Sequence, residues 1–193
     1  TLKAEEVKAF WSPGAVRLLA GCAPCQPFSS YANTATVDKA KWRLLREFAR
    51  LVAECEPDLV TMENVPRLQQ AAPFKDFLRA LKRGKYHVDY SVVNAADYGA
   101  PQQRKRLVLV ASRLGPVAVP EPTHKGPANW VTVRKAVGHL ATLEDGQTSK
   151  EDPLHVASTL SDLNRARIRA SKPGGTWRDW PPQLVAACHQ RES

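Results

Sequence analysis

The chain of 193 residues is 43% apolar and 24% charged, a composition typical of a soluble globular protein with one domain, or one domain plus part of a second. It has no apolar run long enough to cross a bilayer, and acidic residues among its first nine positions exclude a secretory signal there, so the sequence predicts an intracellular protein. The formal net charge of +9 fits two interpretations, a polyanionic partner such as a nucleic acid or a merely basic surface.

Helices and strands alternate in the prediction for the first 113 residues. Apolar side chains such as Leu45, Phe48 and Val52 recur every three or four positions, which predicts an amphipathic helix. The predicted elements are a helix over 4–11, a strand over 17–20, a helix over 41–55, a strand over 59–62, a helix over 74–83 and strands over 86–94 and 107–111. This order predicts a doubly wound α/β fold, in which ligands bind beyond the carboxyl ends of the strands.

The chain changes character after Arg113. A proline-rich connection follows over 115–127, and only short helices are predicted beyond it, over 132–140, 161–170 and 182–189. We therefore predict a first domain over residues 1–118, followed by a linker and part of a second, less regular domain over residues 119–193.

Reactive and charged side chains stand at the borders of three predicted strands. Cys25, in a segment framed by prolines, supplies a potential thiolate nucleophile. Glu63 follows the strand over 59–62 and has the chemistry of an acid or a hydrogen-bond partner. Arg104 and Arg106 alternate on an extended segment, so that one side of it can hold an anion or a carbonyl oxygen.

The cysteines allow a second interpretation. Cys22 and Cys25 form a C-x-x-C pair, as in thiol-disulfide oxidoreductases. Such pairs normally open a helix, but the following Gln-Pro-Phe-Ser stretch is a poor helix start, and a redox role for the pair leaves Glu63 and the two arginines without one. Cys55 and Cys188 are predicted to be small buried hydrophobic residues.

Three motifs follow one another in this part of the chain. Residues 21–29 read Gly-Cys-Ala-Pro-Cys-Gln-Pro-Phe-Ser, residues 63–65 read Glu-Asn-Val, and residues 102–106 read Gln-Gln-Arg-Lys-Arg. In this order and spacing they resemble the nucleophile loop, the Glu-Asn-Val motif and the Gln-x-Arg-x-Arg motif of the DNA cytosine-5 methyltransferase family. Pro-Cys-Gln alone is a weak signal, whereas the ordered three are a strong one, and the resemblance covers about residues 15–113.

The resemblance implies a mechanism that these residue types support. The target cytosine is flipped out of the duplex, and Cys25 attacks its carbon 6 as a thiolate. Glu63 contacts or protonates ring nitrogen 3 and the exocyclic amine, while Arg104 binds the carbonyl oxygen. Carbon 5 then takes a methyl group from S-adenosylmethionine. Arg106 supports the loop and the nearby backbone.

The resemblance also assigns the remaining site residues and the partner. It implies cofactor contacts at Pro24 and Leu44. It implies substrate contacts at four further residues, Gln26, Ser29, Asn64 and Gln102. The implied partner is double-stranded DNA, with no metal, as for a modification enzyme of a restriction-modification pair.

By the same resemblance, residues 1–118 are a partial catalytic domain whose Rossmann-like methyltransferase sheet is incomplete at its N-terminal side, and residues 119–193 include part of a target-recognition region. The family's Phe-x-Gly-x-Gly cofactor motif and its late asparagine-containing motif are not found in the sequence. We therefore expect a central fragment that binds S-adenosylmethionine poorly and is inactive alone. A module that binds DNA without chemistry is a third interpretation.

Histidines and tryptophans in the second half of the chain are predicted to serve packing or the surface. Four histidines lack the spacing of metal ligands, namely His124, His139, His155 and His189. Trp177 and Trp180 are predicted to be packing anchors.

Overall fold

The computed structural model describes residues 2–23 and 43–189. The chain divides into two compact units, Thr1–Gly138 and His139–Ser193. Residues just after position 118 belong to the first unit because they bond to its sheet; the Val119 amide, for example, donates to the Asp89 carboxylate at 2.7 Å. The functional division expected at residue 118 stays a prediction. No helix in the described part of the chain is both long enough and apolar enough to span a membrane.

One mixed sheet organises the first unit, and it contains four strands within the described residues. The strands are β1 (Leu18–Gly21), β2 (Leu59–Asn64), β3 (His87–Asn94) and β4 (Lys105–Ser112). Their spatial order is β1-β2-β4-β3, with β1 parallel to β2, and β4 antiparallel to both β2 and β3. The amino end of β4 therefore lies at the same edge as the carboxyl ends of the other three strands. We call this edge the carboxyl edge.

Two amphipathic helices cover one face of the sheet. They are α2 (Arg43–Cys55) and α3 (Ala72–Arg83), while the short α1 (Ala4–Lys8) packs against α2. The predicted positions Leu45, Phe48 and Val52 are buried, and the rings of Phe48 and Phe77 lie 5.5 Å apart between the helices. The predicted order of helices and strands in this region is confirmed.

The two faces of the sheet differ in burial. Along β2 and β4, alternate residues such as Met62, Leu107 and Leu109 face the helices and are at most 1% exposed. The intervening residues, among them Glu63 and Arg106, face the other way and are only partly buried. Glu63 and Arg106 at the carboxyl edge are therefore presented on the face away from α2 and α3.

Gly21 ends β1 where the helix layer comes closest. A Cβ atom at this position would overlap the Phe48 ring of α2, so the close contact between strand and helix requires glycine. The contact also brings the first turns of α2 to the carboxyl end of β1.

An ion pair joins the starts of β1 and β2 at the opposite edge. The Arg17 backbone amide and Nε donate to Asp58 Oδ2 at 2.8 and 3.0 Å, and Arg17 Nη2 donates to Oδ1 at 3.0 Å. These hydrogen bonds from Arg17 lower the pKa of Asp58 from 3.8 to about 2. The stabilisation is therefore present above pH 3.8 and is lost as the pH falls through about 2.

The C-terminal part of the chain is built from short elements. Helix α4 (Val133–Val137) closes the first unit, and α5 (Asp162–Ala170) belongs to the second. In the second unit Trp177 stacks on His189, and Trp180 Nε1 donates to Ser171 Oγ at 3.0 Å. These contacts support the predicted packing role of both tryptophans.

The two cysteines predicted to be buried differ in outcome. Cys55 is buried as predicted, with 1% exposed, and it packs against α1. The prediction for Cys188 is wrong, because this residue is exposed in a single-turn helix that packs no core around it. An apolar neighbourhood in sequence does not bury a side chain without a layer to cover it.

Candidate active site

Four of the predicted site residues lie at or next to the carboxyl edge: Glu63, Asn64, Arg104 and Arg106. Glu63 and Asn64 are the last two residues of β2, which is two residues longer than predicted because their pairing with β4 continues to Leu107. Arg106 lies in β4, and Arg104 precedes that strand. Four of the predicted residues lie outside the described residues: Pro24, Cys25, Gln26 and Ser29.

An ion pair across the β2–β4 ladder is the central contact of the site. Glu63 pairs with Val108 in the ladder, so Arg106 lies two positions along β4 and on the same face. Arg106 Nε lies 2.6 Å from Glu63 Oε1, and Arg106 Nη1 donates to the Lys105 carbonyl at 2.8 Å. The ladder therefore holds the Glu63 carboxylate against a fixed guanidinium.

A thiol contacts the other oxygen of the same carboxylate. Cys22 directly follows β1, and its Sγ donates to Glu63 Oε2 at 3.1 Å. This hydrogen bond raises the pKa of Cys22, as do partial burial and the Glu63 charge, while Arg106 and Arg104 act in the opposite direction. Cys22 is therefore a neutral donor, and the sequence offered no signal for this role.

Arg104 stands apart from the ion pair. Its backbone amide donates to Asn94 Oδ1 at 3.0 Å, and its carbonyl accepts from the Ala95 amide at 3.0 Å. Among the residues that the structure describes, its exposed guanidinium makes no hydrogen bond or ion pair. Its charge nevertheless acts on Cys22, so the guanidinium lies near the carboxyl edge and is available to an oxygen ligand.

Asn64 is buried beside the site. It is 3% exposed, its Nδ2 donates to the Ala23 carbonyl at 2.9 Å, and its Oδ1 accepts from the Val65 amide at 2.9 Å. The side chain thus anchors the backbone immediately before Pro24 and Cys25. The expected substrate contact of Asn64 stays a prediction, and the geometry gives the residue an anchoring role.

Substituting Asn64 by aspartate is expected to lower the free energy of unfolding by about 1–3 kcal/mol. The substitution removes the donor to the Ala23 carbonyl and leaves two oxygens facing each other in a buried position. Urea denaturation measures the change. Asn94→Asp is the matched control: within the described residues the Asn94 side chain accepts through Oδ1, from the Ala96 and Arg104 amides, and donates no hydrogen bond, so aspartate keeps the accepting oxygen. Equal losses in the two variants would contradict the anchoring role.

Leu44 and Gln102, the other described site predictions, lie in α2 and in the β3–β4 connection. Leu44 is 47% exposed in the first turn of α2, one turn before the Phe48 ring that covers Gly21. Gln102 lines an open pocket of about 390 Å³ together with Trp130. The structure thus leaves both side chains accessible to a ligand.

Asp97 fixes the far wall of the Gln102 pocket, a role that sequence reasoning missed. Trp130 Nε1 and the Gly126 amide donate to its Oδ1 at 2.7 and 3.1 Å. The hydrogen bond from Trp130, followed by that from Gly126, lowers the pKa of Asp97.

Within residues 2–23 and 43–189, no three His, Cys, Asp or Glu side chains are grouped to hold a metal ion.

Comparison with known proteins identifies the family. A sequence model described as C-5 cytosine-specific DNA methylase matches residues 4–190. The chain belongs to this family. The match confirms the resemblance stated from the three motifs and extends it well beyond residue 113.

The names of individual relatives are consistent with membership in this family. The chain is 46% identical to the type II methylase M.HgiDII of Herpetosiphon aurantiacus, over 97% of this chain and 53% of the relative. It is 38% identical to the type II methyltransferase M.AquIA of Picosynechococcus, over 78% of this chain and 70% of the relative. The chain therefore spans about half the length of M.HgiDII and more than two thirds of M.AquIA.

A solved structure supports the fold. The putative DNA modification methyltransferase encoded within an Escherichia coli prophage matches with a TM-score of 0.58 and 27% identity, over 78% of this chain and 43% of that one. The mixed sheet is thus a partial Rossmann-like methyltransferase fold, as predicted. Cys22 is a free thiol that directly follows β1 and donates to Glu63.

Proposed function

We propose that this protein is a DNA cytosine-5 methyltransferase, which transfers a methyl group from S-adenosylmethionine to carbon 5 of cytosine in double-stranded DNA. The observation that carries the proposal is the Glu63–Arg106 ion pair at the carboxyl edge, beside the anchored segment that leads to Cys25. A carboxylate at the end of β2 and a nucleophile that follows β1 in the sequence suit attack on a ring that must be activated by its own nitrogen.

The proposed reaction begins with the Cys25 thiolate. It forms a bond from its sulfur to carbon 6 of a cytosine that has left the base stack, because carbon 6 is not accessible within the duplex. The electron pair of the carbon 5–carbon 6 double bond becomes available at carbon 5, which takes the methyl group. Loss of the proton from carbon 5 then restores the double bond and expels the Cys25 thiolate. The net products are 5-methylcytosine, S-adenosylhomocysteine and a proton.

Glu63 and Arg104 act on the polar edge of the base in this proposal. Glu63 contacts or protonates ring nitrogen 3 and accepts from the exocyclic amine, which draws electron density from the ring as the thiolate adds. Arg104 binds the carbonyl oxygen, and its guanidinium has no partner among the described residues that would compete. Arg106 holds Glu63 in place.

S-adenosylmethionine, when bound, supplies an activated methyl group on a sulfonium sulfur. The half-exposed apolar Leu44 at the start of α2 suits the uncharged parts of this cofactor. Pro24 is proposed as a second cofactor contact. The expected weak binding by residues 1–193 alone stays part of the proposal.

DNA contacts are proposed for the segment that carries Cys25, for Gln102 and for residues 119–193. We assign DNA contacts to Gln26 and Ser29 in this segment and to the accessible Gln102 in the β3–β4 connection. Residues 119–193 hold part of the target-recognition region in this view, and the net charge of +9 favours phosphate contacts. The type II names of M.HgiDII and M.AquIA support an intracellular modification enzyme of a restriction-modification pair.

Methyl transfer by the complete gene product tests the proposal. The protein is incubated with S-adenosylmethionine and duplex DNA, and 5-methylcytosine is measured by mass spectrometry of the hydrolysed nucleosides. We expect methylated cytosine only when protein, cofactor and DNA are all present. DNA binding without methylation would favour a binding-only module, and cysteine-dependent reduction of a small disulfide would favour the oxidoreductase.

A further inference from the structure

The cluster formed by Cys22, Glu63 and Arg106 holds both oxygens of one carboxylate. Arg106 contacts Oε1 and the Cys22 thiol contacts Oε2, from opposite neighbours of β2 in the sheet. We propose that Cys22 is a positioning residue for Glu63, whose thiol hydrogen bond to Oε2 fixes the carboxylate plane toward the target base. This inference rests on the proposed methyltransferase function.

Cys22 itself is held on both sides along the chain. Gly21, which precedes it, pairs with Met62 in the β1–β2 ladder, and Ala23, which follows it, is bonded through its carbonyl to Asn64. The backbone of Cys22 is therefore fixed relative to the end of β2. Its side chain reaches Glu63 from a rigid support, as a positioning group requires.

The chemistry of a thiol suits this role. The carboxylate has about four lone-pair sites, so two donors leave two, which can accept from the exocyclic amine of a base and from nitrogen 3 once it is protonated. Glu63 remains 43% exposed between its two donors, which leaves room for such a ligand. Among the described residues, the charged groups that act on Cys22 besides Glu63 are Arg106 and Arg104. A neutral thiol orients the carboxylate without adding a third positive charge to these two.

Steady-state kinetics of the complete gene product provides the first test. Cys22→Ala is expected to lower kcat about tenfold, the equivalent of one hydrogen bond to a charged group, while KM for DNA changes by less than about twofold. Cys22→Ser restores a donor and is expected to return kcat to within about threefold of the unsubstituted protein. An unchanged kcat in Cys22→Ala, or equal losses in both variants, would overturn the inference.

Alkylation of Cys22 provides a second test that requires no methyl transfer. In a Cys25→Ala, Cys188→Ser background Cys55 is the other cysteine that remains within residues 1–193, and it is 1% exposed. Adding Glu63→Gln removes the carboxylate that disfavours the Cys22 thiolate, so we expect iodoacetamide labelling at pH 7.5 to accelerate at least about threefold. Equal labelling rates with and without Glu63→Gln would refute the contact. If methylation fails but labelling accelerates, the proposed function is wrong while the thiol–carboxylate contact stands.

Discussion

Substituting Cys25 by alanine is expected to abolish covalent capture of DNA that carries 5-fluorocytosine. In the proposed reaction the proton on carbon 5 must leave before the thiolate is expelled, and a fluorine atom at that position cannot leave as a cation. The bond between Cys25 and carbon 6 therefore persists, and the complex survives denaturing electrophoresis when S-adenosylmethionine is present. The complete gene product should form this band, and the Cys25→Ala variant should form none, because the attacking atom is gone.

The neighbouring cysteine supplies the matched control for this experiment. Cys22→Ser should retain the covalent band, because a hydroxyl keeps the hydrogen bond to Glu63 and the attacking thiol is untouched. Loss of the band in both variants would indicate chemistry that needs two thiols, as in an oxidoreductase. A band that persists in Cys25→Ala would refute the assignment of the nucleophile.

Glu63→Gln is expected to lower the rate of methyl transfer by a factor of about 10²–10⁴, the range observed for positioned acid–base groups. Glutamine cannot protonate nitrogen 3, and it accepts through only one of its two terminal atoms. Single-turnover methylation with saturating DNA measures the loss without the contribution of product release. A loss below about threefold would argue against an acid–base role for Glu63.

The ion pair with Arg106 adds a test of how the two residues cooperate. Arg106 contacts Glu63 Oε1 at 2.6 Å, so we propose that it acts through the carboxylate and not on the base. The double variant Glu63→Gln, Arg106→Ala should then be about as slow as the slower single variant, because the two substitutions remove one unit. The double variant Glu63→Gln, Arg104→Ala is the comparison. Its rate should fall by the product of the two single losses, because the two residues act on the base independently in this proposal. Multiplying losses for Arg106 would mean that it contacts the substrate directly.

Much of the fold was predictable because its signals are local. Leu45, Phe48 and Val52 repeat with helical spacing and are buried in α2. The end of β2 was less predictable, because Glu63 and Asn64 are polar and their extended conformation depends on pairing with a strand some forty residues later. The sequence pattern describes one segment at a time, whereas strand length is set by the neighbouring strand.

The site was predictable in its residue types but not in its contacts. The motifs indicated Glu63 and Arg106 as members of one site, yet neither spacing nor periodicity showed that they form an ion pair. The Cys22–Glu63 hydrogen bond joins residues 41 positions apart, and it depends on the parallel pairing of β1 with β2. Asn64 looked like a ligand contact by its motif, while its burial could be known only from the packed structure.

The antiparallel direction of β4 has a consequence for which sequence changes the family can tolerate. Glu63 and Arg106 belong to one ladder, in which successive side chains point to opposite faces. A residue inserted before Arg104 lengthens only the connection from β3, and the ladder can keep its register. A residue inserted between Arg106 and Val108 turns the guanidinium to the helix-covered face and separates it from Glu63. We therefore expect insertions and deletions among relatives in the connections between strands, and none within the paired residues of β2 and β4.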